Sequence, residues 1–363
     1  MVSSSMSIVA PEALKKFATD IFTKAGLPAK DAETVASVML WANLRGVDSH
    51  GVQLIPWYVQ GIDIGHMKVK PNIKVEKETP ATMLIEADHA LGAVVTVWAM
   101  NQAMEKAKKT GIGWAFIRHN NHQGAMGYYS QMAAEKGMAG IATVCSVVNM
   151  VPFGAKAMGI SNSPIAISVP ARRYPPMTLD MATSVAAASK IMLAKDKGIS
   201  IPPDWAFDAD GNPTTDPNKA AMLLPFGGAK GSGLSIMLEC LCSIMVNNPL
   251  LEPVLQGKKP PLGLKPFTPE TIPLHLQNSI VAAIDISHFT DLESYKEHID
   301  NLIDGIKALP KAKGFNEIFV PGEPEERTYL ERSKKGIPMA AKTIANLKRI
   351  ADRFGVSLPP GMS

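Results

Sequence analysis

The chain has 363 residues, 46% of them hydrophobic and 19% charged, and its 37 basic and 33 acidic residues leave a net charge of +4. This composition excludes an extensively disordered chain, and charges so evenly interleaved are not typical of a nucleic-acid-binding protein. The length predicts two domains or one large α/β body. Three cysteines without a CxxC pair and an N-terminus without an apolar signal region favour a reducing, cytoplasmic setting, and no stretch reads as a membrane span.

Apolar residues recur at helical spacing along the N-terminal region, which predicts three helices. They cover residues 11–25, 31–45 and 52–61. Gly26 and Gly46 stand where glycine commonly ends a helix, and Asp31 is placed to cap the second helix. Pro56 is expected to begin or kink the third helix.

After Lys70 the hydrophobic pattern changes, and strands and helices are predicted to alternate, beginning with a hairpin that turns at Thr79–Pro80. The later strands are predicted at 112–118, 139–148, 164–169, 279–286 and 316–320. The helices are predicted at 92–109, 125–136, 182–197, 232–247, 291–308, 323–334 and 339–354, and loops rich in proline and glycine at 170–176, 210–217 and 253–273. Elements mixed in this way predict an α/β or α+β fold in which the helices of the two chain ends pack together.

The signatures of several enzyme classes do not occur in the sequence. The dinucleotide fingerprint GxGxxG is missing, because Phe116 stands where Gly111 and Gly113 would need a third glycine. The segment 227–233 contains the glycine, lysine and serine residues of a phosphate-binding P-loop, but in the wrong order. Neither the HExxH motif nor the GxSxG nucleophile elbow occurs in the sequence. His119 and His122 have no third ligand near them in the sequence, so no metal is expected.

A histidine in a loop is the first candidate for chemistry, because a pKa near ~6.5 suits proton transfer at neutral pH. His50 follows Ser49, which could orient the imidazole or relay a proton. The structural alternative is that Ser49 caps a helix and His50 bonds to the backbone. Spacing alone favours this alternative.

Three further polar segments stand where a helix is predicted to begin, and a helix N-terminus can hold an anion such as a phosphate. They are residues 118–129, 180–184 and 227–233. Lys230, among four glycines, could contact a phosphate or a substrate carboxylate, and Asp180 could accept hydrogen bonds from ribose hydroxyls. The structural alternatives are a polar turn capped by Asn121, a capping role for Asp180 and a flexible turn with a solvated lysine.

Six segments, taken together and in this order, resemble the malate/L-lactate dehydrogenase-like oxidoreductase family. This family includes ureidoglycolate and sulfolactate dehydrogenases, diketogulonate reductases and cyclic imino-acid reductases. The match covers essentially the whole chain. The segments are RGVDSHGV (45–52), HQGAMGYY (122–129), NSPIA (162–166), DMATS (180–184), KGSGL (230–234) and PGE (321–323).

The resemblance implies a non-Rossmann NAD(P)-binding fold with a largely antiparallel sheet, which accounts for the missing fingerprint. The helical segment 1–76, which carries the Ser–His motif, is expected to pack with the C-terminal helices of 290–363. Residues 77–289 are expected to form the central α/β region that binds cofactor and substrate. The implied cofactor is NAD or NADP, the implied partners are a small-molecule substrate and a second copy of the chain, and no nucleic acid or membrane is expected.

Residue roles are also implied by the resemblance. His50 would be the general acid/base and Ser49 its relay partner. His122, Arg45 and Asn149 would bind the substrate. The residues implied to hold the cofactor are His122, Gln123, Gly124, Ala125, Met126, Thr178, Asp180, Met181, Ala182, Ala229, Lys230, Gly322, Glu323 and Pro324.

Two residues depart from the family pattern. Many relatives have an arginine, able to pair with a substrate carboxylate, at the position of Leu54, and many have phenylalanine at the position of Gln123. The carboxylate is then held by Arg45, Arg118 or backbone amides, or the substrate differs. The predicted reaction is hydride transfer between nicotinamide and a small 2-oxo or 2-hydroxy carboxylate of the malate or lactate type. The alternatives are reduction of a cyclic imino acid and a catalytically idle relative that binds a metabolite.

Overall fold

A computed structural model describes residues 7–265, 268–272 and 276–362. In chain order its strands are β1 (Ser7–Val9), β2 (Lys74–Glu78), β3 (Thr82–Glu86), β4 (Ile112–Asn120), β5 (Met138–Cys145), β6 (Ile165–Val169), β7 (Met177–Met181), β8 (Ala206–Phe207), β9 (Met222–Leu223), β10 (Gln277–Asp285) and β11 (Ile337–Met339). Its helices are α1 (Pro11–Lys24), α2 (Ala29–Leu44), α3 (Ile55–Asp63), α4 (Gly92–Thr110), α5 (Gly127–Ala134), α6 (Ala188–Lys197), α7 (Ala229–Glu239), α8 (Glu252–Leu255), α9 (Leu292–Lys307), α10 (Glu323–Lys335) and α11 (Ala341–Phe354).

A seven-stranded sheet with the order β2–β3–β4–β10–β5–β6–β7 lies at the centre of the described structure. Only β3 and β4 run parallel, and every other neighbouring pair in this sheet is antiparallel. The central strand β10 is buried along most of its length, as expected for a strand covered on both faces. The predicted mixed fold with a largely antiparallel sheet is therefore confirmed.

Helices α4 and α5 pack closely on the sheet because glycines face them. A Cβ atom on Gly113 would stand 1.9 Å from the carbonyl oxygen of Ala103 in α4, and one on Gly140 would stand 2.1 Å from that of Ser130 in α5. Only a residue without a side chain allows backbones to approach so closely. These contacts hold the start of α5, which is important for the candidate site, against the sheet.

The two ends of the chain meet, since β1 pairs with β11 in an antiparallel ladder. Arg353 of α11 forms a two-pronged ion pair with Asp63 at the end of α3, with distances of 2.6 and 2.7 Å. One buried apolar cluster continues from these helices into the sheet; its members include Phe22, Ile55 and Ile117. The boundaries 1–76, 77–289 and 290–363 stay a prediction.

The predicted elements were wrong at several places. Helix α2 begins after Pro28, so Asp31 lies inside its first turn and makes no side-chain cap. The helix expected over 182–197 begins only at Ala188, and 316–320 forms a loop instead of a strand. Strands β1, β7 and β11 were not predicted. They are three to five residues long, and a short strand is specified by its partner more than by its own pattern.

The Pro/Gly-rich stretch predicted as a loop over 253–273 includes most of the short helix α8. Residues 266–267 and 273 of that prediction lie outside the described residues. Helix α7 continues as a wider π-turn over Cys240–Ile244. Within the described part of the chain, no helix has both the length and the apolar character needed to cross a membrane.

Candidate active site

His50 lies on a short connection between α2 and α3, formed by the 3₁₀ turns Asp48–His50 and Val52–Leu54. Ser49 Oγ lies 2.9 Å from His50 Nδ1, within hydrogen-bond distance, and its role in orienting the imidazole or relaying a proton stays a prediction. Burial among protein atoms lowers the pKa of His50 to about 4, because desolvation disfavours the imidazolium. His50 is therefore neutral at pH 7 in the free protein.

The ring of His122 stacks beside that of His50, with centroids 5.5 Å apart and planes inclined by 24°. Tyr58 Oη lies 2.7 Å from His122 Nδ1, and the backbone N–H of Gly124 donates to the same nitrogen at 3.3 Å. A backbone N–H can only donate, so Nδ1 is the acceptor and the neutral imidazole carries its proton on Nε2. Burial raises the pKa of Tyr58, which keeps its hydroxyl protonated as a donor.

Asp180, at the end of β7, faces the start of α5. Its Oδ2 accepts the backbone N–H of Gly127 at 2.7 Å, and Trp41 packs against the same glycine. The pKa of Asp180 is raised to about 6. Burial has the largest effect and raises it, the Gly127 N–H lowers it, and the nearby carboxylate of Glu325 raises it. Asp180 as a whole remains exposed, although protein atoms around it desolvate its carboxylate.

Strand β7 and the loop after it also contact two other predicted segments. A Cβ atom on Gly322 would stand 2.7 Å from the carbonyl oxygen of Thr178. A Cβ atom on Gly231, in the first turn of α7, would stand 2.7 Å from that of Thr183. The segments around 127, 180, 231 and 322, distant in sequence, therefore meet along one strand.

Lys230 is exposed at the N-terminus of α7, directly after Ala229. Gly227 and Gly228, which form the turn before it, have φ values of +55° and +59°, a region that favours glycine. The Lys230 ammonium makes no ion pair or hydrogen bond with the described residues. It is therefore available to an anion.

The side chains of several predicted cofactor residues are buried in the protein interior. Gln123 is 1% exposed, and its amide accepts from Thr96 Oγ1 at 2.9 Å and donates to Gln277 Oε1 at 3.3 Å. Ala125 and Met126 are also buried. Any contact of this segment with a cofactor therefore falls to its backbone and to His122 and Gly124.

The other predicted side chains near β7 and α10 have protein partners. The hydroxyl of Thr178 lies 2.9 Å from that of Ser168, and Met181 and Ala182 are half-buried at the end of the strand. Glu323 accepts two hydrogen bonds from Lys307, at 2.6 and 2.8 Å, at the start of α10. Pro324, next in sequence, is exposed. The cofactor roles of these residues stay predictions.

The residues predicted to hold the substrate carboxylate are already paired. Arg45 forms an ion pair with Glu326 at 2.9 Å, and its guanidinium lies over the rings of Trp41 and Tyr329. The Asn149 amide exchanges hydrogen bonds with Asn162. The substrate-binding roles of Arg45 and Asn149 stay predictions.

Arg118 is bound to two glutamates, Glu86 at 3.0 Å and Glu76 at 2.8 Å. Asn121 does not cap a helix, since α5 begins at Gly127. Its side-chain NH₂ instead donates to the backbone oxygens of His89 and Ala90.

Sequence reasoning missed Tyr58, whose hydroxyl lies 2.7 Å from His122 Nδ1. Tyr58 lies in an apolar stretch of α3, eight residues after His50, and no polar pattern singles it out. Only the packing of α3 against the turn at 122–124 brings its hydroxyl to the imidazole.

The groups along β7 fit a nicotinamide dinucleotide. Lys230 offers an ammonium for the pyrophosphate, and the exposed Asp180 carboxylate offers an acceptor for hydroxyl or amide groups. The hydroxyl of Thr183 is buried and has no hydrogen-bond partner among the described residues. Buried polar atoms usually have a hydrogen-bond partner, so a polar group of a bound molecule is expected to contact this hydroxyl.

Comparison with known proteins shows which family the chain is similar to. The sequence profile described as malate/L-lactate dehydrogenase matches residues 9–348. The chain is 36% identical to the malate/(S)-sulfolactate dehydrogenase of Methanothermus fervidus over 97% of its own length and 99% of that protein. It is 30% identical to the ureidoglycolate dehydrogenase (NAD(+)) of Escherichia coli K12 over 91% of each chain. The solved structure of sulfolactate dehydrogenase from Methanocaldococcus jannaschii matches with a TM-score of 0.85 and 37% identity, over 97% of this chain and 98% of that one.

Proposed function

The chain belongs to the malate/L-lactate dehydrogenase family and is an oxidoreductase, and on that premise we propose that it transfers a hydride between NAD or NADP and a small 2-oxo or 2-hydroxy carboxylate. The observation that carries the proposal is the pair of imidazoles, His50 and His122, whose rings stack beside each other with centroids 5.5 Å apart. The nicotinamide cofactor supplies the hydride chemistry when bound. The protein has to hold the substrate and move one proton.

His50 is the group proposed to move that proton. With Nδ1–H donating to Ser49 Oγ, Nε2 is left to take the proton from the hydroxyl of a 2-hydroxy acid, or to return it to the oxygen of a 2-oxo acid. The neutral state of His50 at pH 7 suits the first step of oxidation. His122, with its proton on Nε2, is suited to donate a hydrogen bond to the same substrate oxygen.

The cofactor is proposed to lie along β7, with its phosphates near Lys230 and Ala229 and its ribose or amide groups near Asp180. Its nicotinamide end would then lie near the backbone of 122–126. The cofactor named for the E. coli relative is NAD. No residue of the site separates NAD from NADP, so both are tested below.

The substrate carboxylate is proposed to be bound by backbone amides or by Lys230. Leu54 is 9% exposed and apolar at the position where many relatives have arginine. Arg45 and Arg118 are held by carboxylates of the protein. Reduction of a cyclic imino acid is the second candidate function, because the solved structure of a Δ1-piperideine-2-carboxylate reductase matches this chain with a TM-score of 0.81 and 25% identity.

The test is a panel of oxaloacetate, pyruvate, 3-sulfopyruvate and Δ1-piperideine-2-carboxylate with NADH and NADPH, followed by the loss of reduced-cofactor absorbance. We expect turnover of a 2-oxo acid, and a loss of about 10²–10⁴-fold in kcat in His50→Ala with cofactor affinity within a few-fold. Fastest turnover of the imine would establish the second candidate. Cofactor binding without turnover of any compound would contradict both and favour the idle relative.

We further propose that the enzyme is a homodimer formed through α7 and the π-turn after it. The buried side of this segment is mixed, with the polar residues Ser232, Ser235, Glu239 and Ser243 beside Leu238 and Cys242. Its outer side is apolar and 40–58% exposed, with Ile236, Met237, Leu241, Ile244 and Met245. A contiguous apolar helix face on the surface is typical of a subunit interface. The N-terminus of α7 carries Lys230, so this interface would border the cofactor site.

We place the enzyme in the cytoplasm. Its three cysteines are free thiols, and Cys145 and Cys242 are buried in the interior. Thiols of this kind persist in a reducing compartment.

A further inference from the structure

Asn43, in the last turn of α2, underlies the loop that carries His50. Its side chain is 2% exposed, donates from Nδ2 to Asp48 Oδ1 at 2.7 Å and accepts the backbone N–H of Val52 at 2.9 Å. A Cβ atom on Gly51 would stand 2.2 Å from Asn43 Oδ1, so the loop can close over this amide only with glycine at that position. One buried amide therefore binds the loop on both sides of His50.

Arg332, in α10, binds the same loop from the other end of the chain. Its guanidinium donates to both carboxylate oxygens of Asp48, at 2.7 and 3.1 Å, and to the backbone oxygen of Asn43. Two parallel N–H···O bonds fix the orientation of a carboxylate as well as its position. The Arg332 side chain is 15% exposed and that of Asp48 is 43% exposed, so water screens this ion pair from the Asp48 side.

We propose that Asn43, Asp48 and Arg332 form a loop clamp, a set of positioning residues through which α10 sets the orientation of His50. The inference rests on the proposed role of His50. Asp48 is two residues before His50, and the side-chain hydrogen bonds described for its carboxylate come from Asn43 in α2 and Arg332 in α10. A shift of about 1 Å in a catalytic group is enough to cost roughly 10²-fold in rate, so the clamp acts on turnover more than on cofactor binding.

The expected effect of Arg332→Ala is a fall of about 10–100-fold in kcat for the 2-oxo acid that the panel above identifies, with the NADH dissociation constant within threefold. Asp48→Ala combined with Arg332→Ala is expected to lose less kcat than the product of the two single losses, because the two residues share one ion pair. Arg332→Lys is expected to give an intermediate kcat, since lysine keeps the charge and loses the two-pronged geometry. If Arg332→Ala does not fold, Arg332→Lys carries the test, and wild-type kcat in that variant would overturn the clamp.

Arg353→Ala is the matched control. Arg353 also joins a C-terminal helix to the N-terminal region through a two-pronged pair, with Asp63, away from the His50 loop. We expect its kcat to stay within twofold of wild type, whatever its melting temperature. Equal kcat in Arg332→Ala and Arg353→Ala, with His50→Ala inactive, would overturn the clamp alone. Full activity of His50→Ala would overturn the proposed function itself.

Discussion

Burial shifts the pKa values of His50 and Asp180, two of the predicted site residues, in opposite directions. It lowers the pKa of His50 to about 4 and raises that of Asp180 to about 6, in each case because the charged form loses hydration. At pH 7 the imidazole is therefore neutral and the carboxylate is ionised. This combination suits a site that removes a proton from a hydroxy acid.

The lowered pKa of His50 predicts the pH dependence of the oxidative reaction. Oxidation needs the neutral imidazole, which is the main form at every pH above about 4. We therefore expect kcat/KM to show no His50 limb between about pH 8 and pH 5, where an unperturbed histidine would titrate near ~6.5. Asp180, with its pKa of about 6, accounts for any change of kcat/KM with pH in that range, and Asp180→Asn is expected to remove this change.

The measurement is kcat/KM for the hydroxy acid at saturating cofactor in wild type and Asp180→Asn. A decline centred near ~6.5 that survives in Asp180→Asn would show that His50 has an ordinary pKa.

At the scale of secondary-structure elements, glycines decide how closely α7 approaches the end of β7. The first turn of α7 contains Gly231 and Gly233 in different surroundings. A Cβ atom on Gly231 would stand 2.5 Å from the backbone oxygen of Phe226 and 2.7 Å from that of Thr183, whereas one on Gly233 would have nothing within 4 Å. Gly231 thus sets the position of Lys230 relative to Asp180.

Gly231→Ala is expected to destabilise the protein by about 1–3 kcal/mol, because backbone atoms have to move to accept the methyl group. Gly233→Ala, two residues later in the same helix, is expected to be neutral or to stabilise by up to about 1 kcal/mol through helix propensity. Thermal unfolding of both variants measures the difference. Equal melting temperatures would contradict the close approach of α7 to Thr183.

At the scale of the whole molecule, the chain ends and the sheet share one apolar core, while α7 turns a second apolar surface outward. The chain's own helices cover the apolar core, whereas the apolar face of α7 needs a partner from outside the chain. The outward face of α7 is 40–58% exposed, which is why a second copy is proposed to cover it.

Leu241→Glu, in the centre of the outward face, is expected to yield monomers, because a dimer would bury the carboxylate without a partner. Leu302→Glu is the control: Leu302 is 50% exposed on α9, close to the 40% of Leu241, and lies outside the α7 face. Light scattering coupled to gel filtration measures the mass. A monomeric wild type, or a dimeric Leu241→Glu, would contradict the proposed interface.

The sequence by itself determined the features that depend on neighbours along the chain. Apolar spacing identified the long helices α1, α2 and α4, glycine marked the turn before Lys230, and the Ser49–His50 pair stood out because chemistry needs such groups in loops. The missing GxGxxG excluded a standard Rossmann domain, and the sheet is largely antiparallel. Periodicity and turn chemistry are local properties, so a single sequence carries them.

Only the tertiary structure decided which groups meet. The segment 316–320 has an extended pattern without a strand beside it, whereas β1 is a strand because β11 pairs with it from the far end of the chain. Gln123 turns inward to Gln277, and Asp48 is held by Arg332, which is 284 residues away. Burial, pairing and charge neutralisation depend on atoms brought close by folding, and no local pattern contains that information.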